Sequence, residues 1–281
     1  MKALRYLCIC ADDFGLSEGI NGAVMDLAAR GRISATGCMV RRHHWTSGAR
    51  ELRQLDPAKI DVGLHLDLDF PALRGGHEGR LVPLIAASYF GKLNAGRVRL
   101  EIQEQLDLFE QSMDRAPAFV DGHRHVHQLP VVREMLIEEL SQRYRSAPPW
   151  LRNTACNTRG ARLPDKAGLV HLFGGAAFAE LASRHGLPLS RNLLGVYPFS
   201  ADDIGYGRYL ATWLAAFQTG DVLMCHPSLG DFPEVPHGAA RMREYQVLRN
   251  CVALHGGAGK FDIAPLSAHL LSAAEGCKFP W

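Results

Sequence analysis

No apolar run in this 281-residue chain approaches the ~20 residues that a membrane-spanning helix needs, so an integral helical membrane protein is not expected. A leader is not expected at the N-terminus either. Lys2 and Arg5 are followed only by the short run Leu7 to Ala11 before two aspartates, and cytoplasmic residence is the resulting expectation. A block of basic charge is also missing: 31 basic and 29 acidic residues are spread along the chain to a formal charge of +2, which argues against nucleic acid as a partner. Cysteine is sparse and odd in number, with seven residues at Cys8, Cys10, Cys38, Cys156, Cys225, Cys251 and Cys277, several inside apolar runs, so a disulfide framework is not expected. Cys8-Ile9-Cys10 has the spacing to touch a metal, but alternate residues of a buried strand read first as core packing. Internal repeats, low-complexity tracts and an interdomain linker are all lacking, which leaves one globular domain over residues 1–281.

What is present is a regular alternation of strand and helix patterns. Strands are expected at 4–11, 33–40, 61–67, 117–121, 149–153, 192–196 and 221–225, about seven in all, with helices at 18–30, 46–55, 97–114, 130–145, 175–186 and 206–218. The tail adds a helix over 237–254, an extended piece near 260–264 and a final helix at 265–274. Ser17 reads as an N-cap and Gly31 as a helix stop. Residues 71–96, rich in Gly and Pro around Arg74-Gly75-Gly76-His77, read as a long loop or lid, and 154–170 as an irregular stretch. Parallel βα units of this length build either a barrel or a doubly wound open sheet, and both place chemistry at the carboxyl ends of the strands. Several histidine- and aspartate-bearing strand ends meeting on one rim favour the (β/α) barrel-like arrangement.

Ala11-Asp12-Asp13-Phe14-Gly15 follows directly on the first apolar strand. Adjacent strand residues point to opposite faces, so Asp12 and Asp13 can share a site only where the strand turns into its loop, a turn that Gly15 assists. A solvated acidic turn is the alternative reading, and it is the one given to the second pair, Asp202-Asp203, which has no apolar strand before it and marks a helix start. His65 in Gly63-Leu64-His65-Leu66-Asp67 ends the third strand. In Asp121-Gly122-His123-Arg124-His125-Val126-His127 a period of two puts three imidazoles and Asp121 on one face if the segment stays extended. His226 in Met224-Cys225-His226-Pro227 ends another strand and has the chemistry of a general acid, and Arg152 is placed to orient a carboxylate or contact substrate. An Asp with two His residues suits a divalent ion and leaves positions open for water or substrate. A second carboxylate free of the ion can take a proton.

These four motifs, in this order, resemble the YdjC-like family of carbohydrate deacetylases, which includes chitooligosaccharide deacetylase, over roughly residues 4 to 275. The resemblance implies a barrel-like fold related to polysaccharide deacetylases and a hydrolase that removes N-acetyl groups from an amino sugar or short oligosaccharide. It also implies one divalent ion, magnesium or zinc, held by Asp13, His65 and His123, with Asp12 as general base and His226 as general acid. His127, Arg152 and Asp121 would contact substrate or support the ligands, and family members often associate, so a homo-oligomer is possible. The sequence departs from the family at Arg124, where a further histidine can occur, and in its own 71–96 loop. A metal-dependent hydrolase of another bond, phosphoester or cyclic amide, and a non-catalytic sugar-binding protein on the same fold are the alternatives.

Overall fold

The computed structural model describes residues 4–68, 81–155, 171–199, 203–233, 235–254 and 261–270. Strand β1 (Arg5–Phe14) leads through the Ser17 cap into helix α1 (Glu18–Ala29), and β2 (Ala35–Cys38), α2 (Trp45–Leu52) and β3 (Asp61–Leu66) follow. Ser17 Oγ accepts the amide of Ile20 at 3.2 Å, and the helix ends at Gly31, whose φ of 63° is left-handed. Its buried stripe Ile20, Ala23, Val24 and Leu27 packs into the main apolar core. Each such side chain contributes about 1.5–3 kcal/mol by leaving water.

After β3 come α3 (Leu81–Tyr89), α4 (Ala95–Met113), β4 (Phe119–Gly122), a 3-10 turn over His123–Gln128, α5 (Val132–Arg143) and β5 (Trp150–Leu151). Then follow α6 (Gly175–Arg184), β6 (Leu193–Leu194), α7 (Asp203–Ala216), β7 (Val222–Cys225), α8 (Gly238–Asn250) and β8 (Phe261–Ile263). Helix α3 corrects the expected loop over 71–96: its second half folds, with Leu84 buried and Ser88 Oγ donating to the Pro130 carbonyl at 2.7 Å. The first half of that loop, residues 156–170 of the irregular stretch and the end of the final helix lie outside the described residues. Helix α7 begins at Asp203, in keeping with the helix-start reading of that pair.

All strand pairs are parallel, in the order β5-β4-β3-β2-β1-β7-β6, and β8 pairs with the opening residues of β1. The path has the seven strands expected, with β8 as an eighth. Its two ends are drawn together by the segment entering β6. Leu151 N donates to the Pro188 carbonyl at 2.8 Å and Ser190 N to the Leu151 carbonyl at 2.9 Å, while Val222 N donates to the Asn192 carbonyl at 2.9 Å. The sheet therefore curls into a barrel, as expected, rather than spreading into an open sheet.

Side-chain alternation along β1 divides the core. Leu7, Ile9 and Ala11 join the large cluster beneath the helices, whereas Cys8 and Cys10 pack inside the barrel with Ala35, Phe119, Trp150, Val222 and Leu266. Burial pushes the Cys8 thiol up to about 12, so both cysteines act as small core residues, and the five cysteines among the described residues are free. Asp12 continues the inward series 8, 10, 12 and arrives at the carboxyl end of the barrel interior.

Candidate metal centre

By the same alternation Asp13 would point outward. It does not, because the pairing of β1 with β2 shifts register between Ala11 and Phe14 and Asp13 takes a left-handed φ of 69°. This bulge turns consecutive carboxylates toward one site, and it is formed at Asp13 itself rather than only at Gly15. Gly15 (φ 98°) completes the turn, where a Cβ would stand 2.9 Å from the Met39 carbonyl oxygen.

Asp13 Oδ1 lies 3.4 Å from His65 Nε2 and 3.1 Å from His123 Nδ1, and the ligand atoms of these three residues fall within 4.8 Å of one another. The donor set fits a divalent ion: one carboxylate oxygen and two imidazole nitrogens converge, and the remaining nitrogen of His65 is already engaged. His65 Nδ1 is 2.7 Å from Asp121 Oδ1, an arrangement that fixes the ring and directs Nε2 at Asp13. Burial opposes charge on His65, but Asp121 and Asp12 outweigh it and lift its pKa well above the ordinary histidine range. Burial likewise penalises the Asp13 carboxylate, yet Arg241 and His123 hold its pKa well below the usual range.

The sequence-derived residues divide in an informative way. Asp12, 1 % exposed, is gripped by Arg152, whose Nη1 and Nη2 donate to its two oxygens at 2.6 and 2.7 Å. Arg152 Nη2 also lies 2.8 Å from Asp121 Oδ2. A second convergence of ligand atoms, Asp12, His65 and Asp121, therefore already contains a buried cation in Arg152 and has no need of a metal ion. His226 lines the same cavity of about 410 Å³ as Asp12, Asp13, His65, His123 and Arg241. Its backbone N–H donates to Glu244 Oε2 at 2.6 Å, and its Nδ1 stands 3.8 Å from Glu244 Oε1.

The expectation of three imidazoles on one extended face is overturned. Beyond His123 the chain leaves the strand at once, and Arg124 and His125 both adopt left-handed φ values, 53° and 59°. His123 and His125 line the cavity, whereas His127 lies behind it, with Nε2–H donating to the Arg152 carbonyl at 3.1 Å. Burial pushes His127 down to about 4, a neutral ring that supports Arg152 from its main chain.

Two residues escaped the sequence reading, Arg241 and Glu244, both buried on α8. Arg241 Nη2 reaches Asp13 Oδ2 at 2.6 Å, and Glu244 also accepts from the Tyr197 hydroxyl at 2.7 Å. Their spacing of three places both on one helix face, so α8 touches the Asp13 side and the His226 side together. A buried face that carries charge breaks the apolar period by which such faces are found, although the charged pair at helical spacing was there to be seen.

Comparison with known proteins agrees with this architecture. The human carbohydrate deacetylase is 29% identical over 252 residues, covering 82% of this chain and 76% of that protein. The chitooligosaccharide deacetylase of Yersinia enterocolitica is 30% identical over 141 residues, covering 47% of this chain and 54% of its own length. A candidate cellobiose-phosphate cleavage protein of Enterococcus faecalis shares the fold, with a TM-score of 0.69 at 17% identity over 95% of this chain and 99% of that one. The model of the YdjC-like protein family matches residues 6–252, and the chain belongs to that family.

Proposed function

We propose that the protein is a metal-dependent hydrolase that removes the acetyl group from an N-acetylated amino sugar or a short oligosaccharide containing one. The observation that carries this reading is the convergence of Asp13 Oδ1, His65 Nε2 and His123 Nδ1 beside Asp12 and His226 in one cavity. Family membership and the names of the two relatives point to the same chemistry. Asp13, His65 and His123 would hold a divalent ion, which would supply Lewis acidity to acidify water and polarise the acyl oxygen.

The chain's own groups do the rest. Asp12, held by Arg152 through both oxygens, keeps lone pairs for a further hydrogen bond and takes the proton from the attacking water. The Arg152 cation keeps Asp12 in one orientation, so the base needs no reordering during reaction. His226, anchored to Glu244 through its backbone amide, gives a proton to the departing amine nitrogen. His65 is oriented by Asp121, which also forms an ion pair with Arg152 at 2.8 Å, so the arginine links the ligand side to the base side.

Acetate release tests the proposal. Purified protein supplied in turn with magnesium, zinc, cobalt or manganese is offered N-acetylglucosamine and its β-1,4-linked dimer to tetramer. Acetate in stoichiometric balance with free amine is expected from at least one of these sugars, and a chelator abolishes it. Sugar binding without acetate under every metal would overturn the reading in favour of a sugar-binding protein, and turnover unaffected by chelation would remove the metal from it.

A further inference from the structure

The two oxygens of Asp13 face different partners. Oδ1 meets both imidazoles, His65 Nε2 at 3.4 Å and His123 Nδ1 at 3.1 Å, while Oδ2 meets the guanidinium of Arg241 at 2.6 Å. Arg241 is itself fixed. It is 4% exposed, its Nε donates to the Pro236 carbonyl at 3.0 Å, and its own carbonyl accepts the Ser228 amide at 3.2 Å. These bonds tie α8 to the segment before it and to the loop after β7, so the guanidinium cannot follow Asp13 if the carboxylate rotates.

A carboxylate binds an ion in one of two ways. Through one oxygen it uses one coordination position, and through both it uses two. The second mode requires Oδ2 to turn from Arg241 to the ion, which would leave a buried guanidinium without its anion. Its Nη1 already has no hydrogen-bond partner among the described residues, so the lost bond has no substitute at that end of the side chain. Resting on the ion site proposed above, we infer that Arg241 is a positioning residue that restricts Asp13 to binding through Oδ1 alone. The coordination position thereby spared remains open to water and to the acyl oxygen of the substrate, which a catalytic site requires and a closed structural site does not.

The same contact has an electrostatic side. A cation on the outer oxygen withdraws charge from the ligand, so the ion is less fully neutralised than by a free aspartate, and this strengthens its pull on the open positions. The Arg241 side chain bonds Asp13 and the Pro236 carbonyl, so its influence on the ion passes through Asp13.

Cobalt(II) serves as the probe, because its visible absorption and X-ray absorption edge report coordination number with no substrate present. The full-length protein and its Arg241→Met variant are loaded with cobalt and compared by both methods, with kcat and KM measured in parallel. In the variant the ion is expected to gain about one oxygen neighbour and lose visible intensity. Its kcat is expected to fall roughly 10–100-fold, the range seen for outer partners of metal ligands, with KM changing far less. Identical spectra in the two proteins would overturn the inference. If the variant fails to fold, the metal-loaded wild-type crystal structure decides: Asp13 on the ion through Oδ1, with Arg241 still on Oδ2, supports it, and a two-oxygen Asp13 overturns it. Failure of the wild type to bind cobalt at all would remove the ion site and this inference with it, whereas bound cobalt with a two-oxygen Asp13 would remove only the inference.

Discussion

The two ends of the barrel both bury aspartate, and they do so differently. At the amino end the donors to Asp61 among the described residues are neutral, Trp150 Nε1 at 2.9 Å and Ser267 N at 3.0 Å together with the Ser267 hydroxyl, and the result is a staple between the third strand and the C-terminal segment. At the carboxyl end Asp12, Asp13 and Asp121 are met by Arg152, Arg241, His65 and His123. Neutral donors satisfy a carboxylate and close the matter. Cations and imidazoles leave a charged, adjustable cluster in which imidazole nitrogens and one carboxylate oxygen still face a common point. Buried charge alone does not mark a site; what distinguishes the carboxyl end is convergence with capacity left over.

That contrast can be broken at several points. The largest effect is expected from Asp13→Ala, which should abolish both bound metal and acetate release, measured by elemental analysis and a coupled acetate assay. Asp12→Asn should keep metal near one equivalent per chain while lowering turnover by roughly 10²–10⁴-fold, the usual worth of a positioned base. Arg152→Met leaves two buried carboxylates without their cation and should cost about 3–5 kcal/mol of stability in denaturant unfolding. At the opposite end, Asp61→Asn should cost only about 1–3 kcal/mol and leave the kcat of the folded protein unchanged. A fall in kcat there would erase the distinction between the two ends.

A pH experiment sharpens the comparison from another side. In the metal-free protein Asp121 and Asp12 raise the pKa of His65 against the opposing effect of burial. Its raised pKa contributes stability that is complete below the unfolded value of about 6.5 and is lost as pH rises through the folded value. An ion needs the unprotonated nitrogen, so uptake should release about one proton, and affinity should rise up to about tenfold per pH unit over that window. Calorimetry in buffers of different ionisation enthalpy reads the proton directly, and a pH-independent affinity would exclude His65 as a ligand. The smallest effect belongs to Ser17→Ala at the cap of α1, about 1 kcal/mol with no change in turnover.

Much of this was legible in the sequence, for identifiable reasons. Apolar runs ending in Asp12-Asp13, His65 and His226 mark strand ends because a parallel sheet covered by helices makes its strands continuously apolar, so a titratable residue stands out where burial stops. The helices read from period and caps for the same reason. Less visible was anything set by a single dihedral. Nothing in His123-Arg124-His125 announces two left-handed residues, so the period-two alternation that set three imidazoles on one face fails at His127. Strands β5 and β6 fall inside the strands expected at 149–153 and 192–196 but are only two residues each, because their length is set by pairing with neighbours. Arg241 and Glu244 were hidden because a helix with charge on its buried side resembles a solvated one when read by hydropathy alone.

The left-handed φ of Asp13 has a consequence for what this position can become. Few side chains tolerate that conformation, and among those that do, aspartate, asparagine and histidine are the most at ease. Only two of these bring a strong donor to a divalent ion, and only aspartate brings a negative charge for Arg241 to hold. The alphabet of ligands available to natural variation here is therefore set by backbone shape before metal preference enters. Glutamate, equal in charge and longer by one methylene, is disfavoured on conformational grounds alone. A library randomised at position 13 and selected only for folding should, glycine apart, already be biased toward a short list that contains the residue the ion would choose.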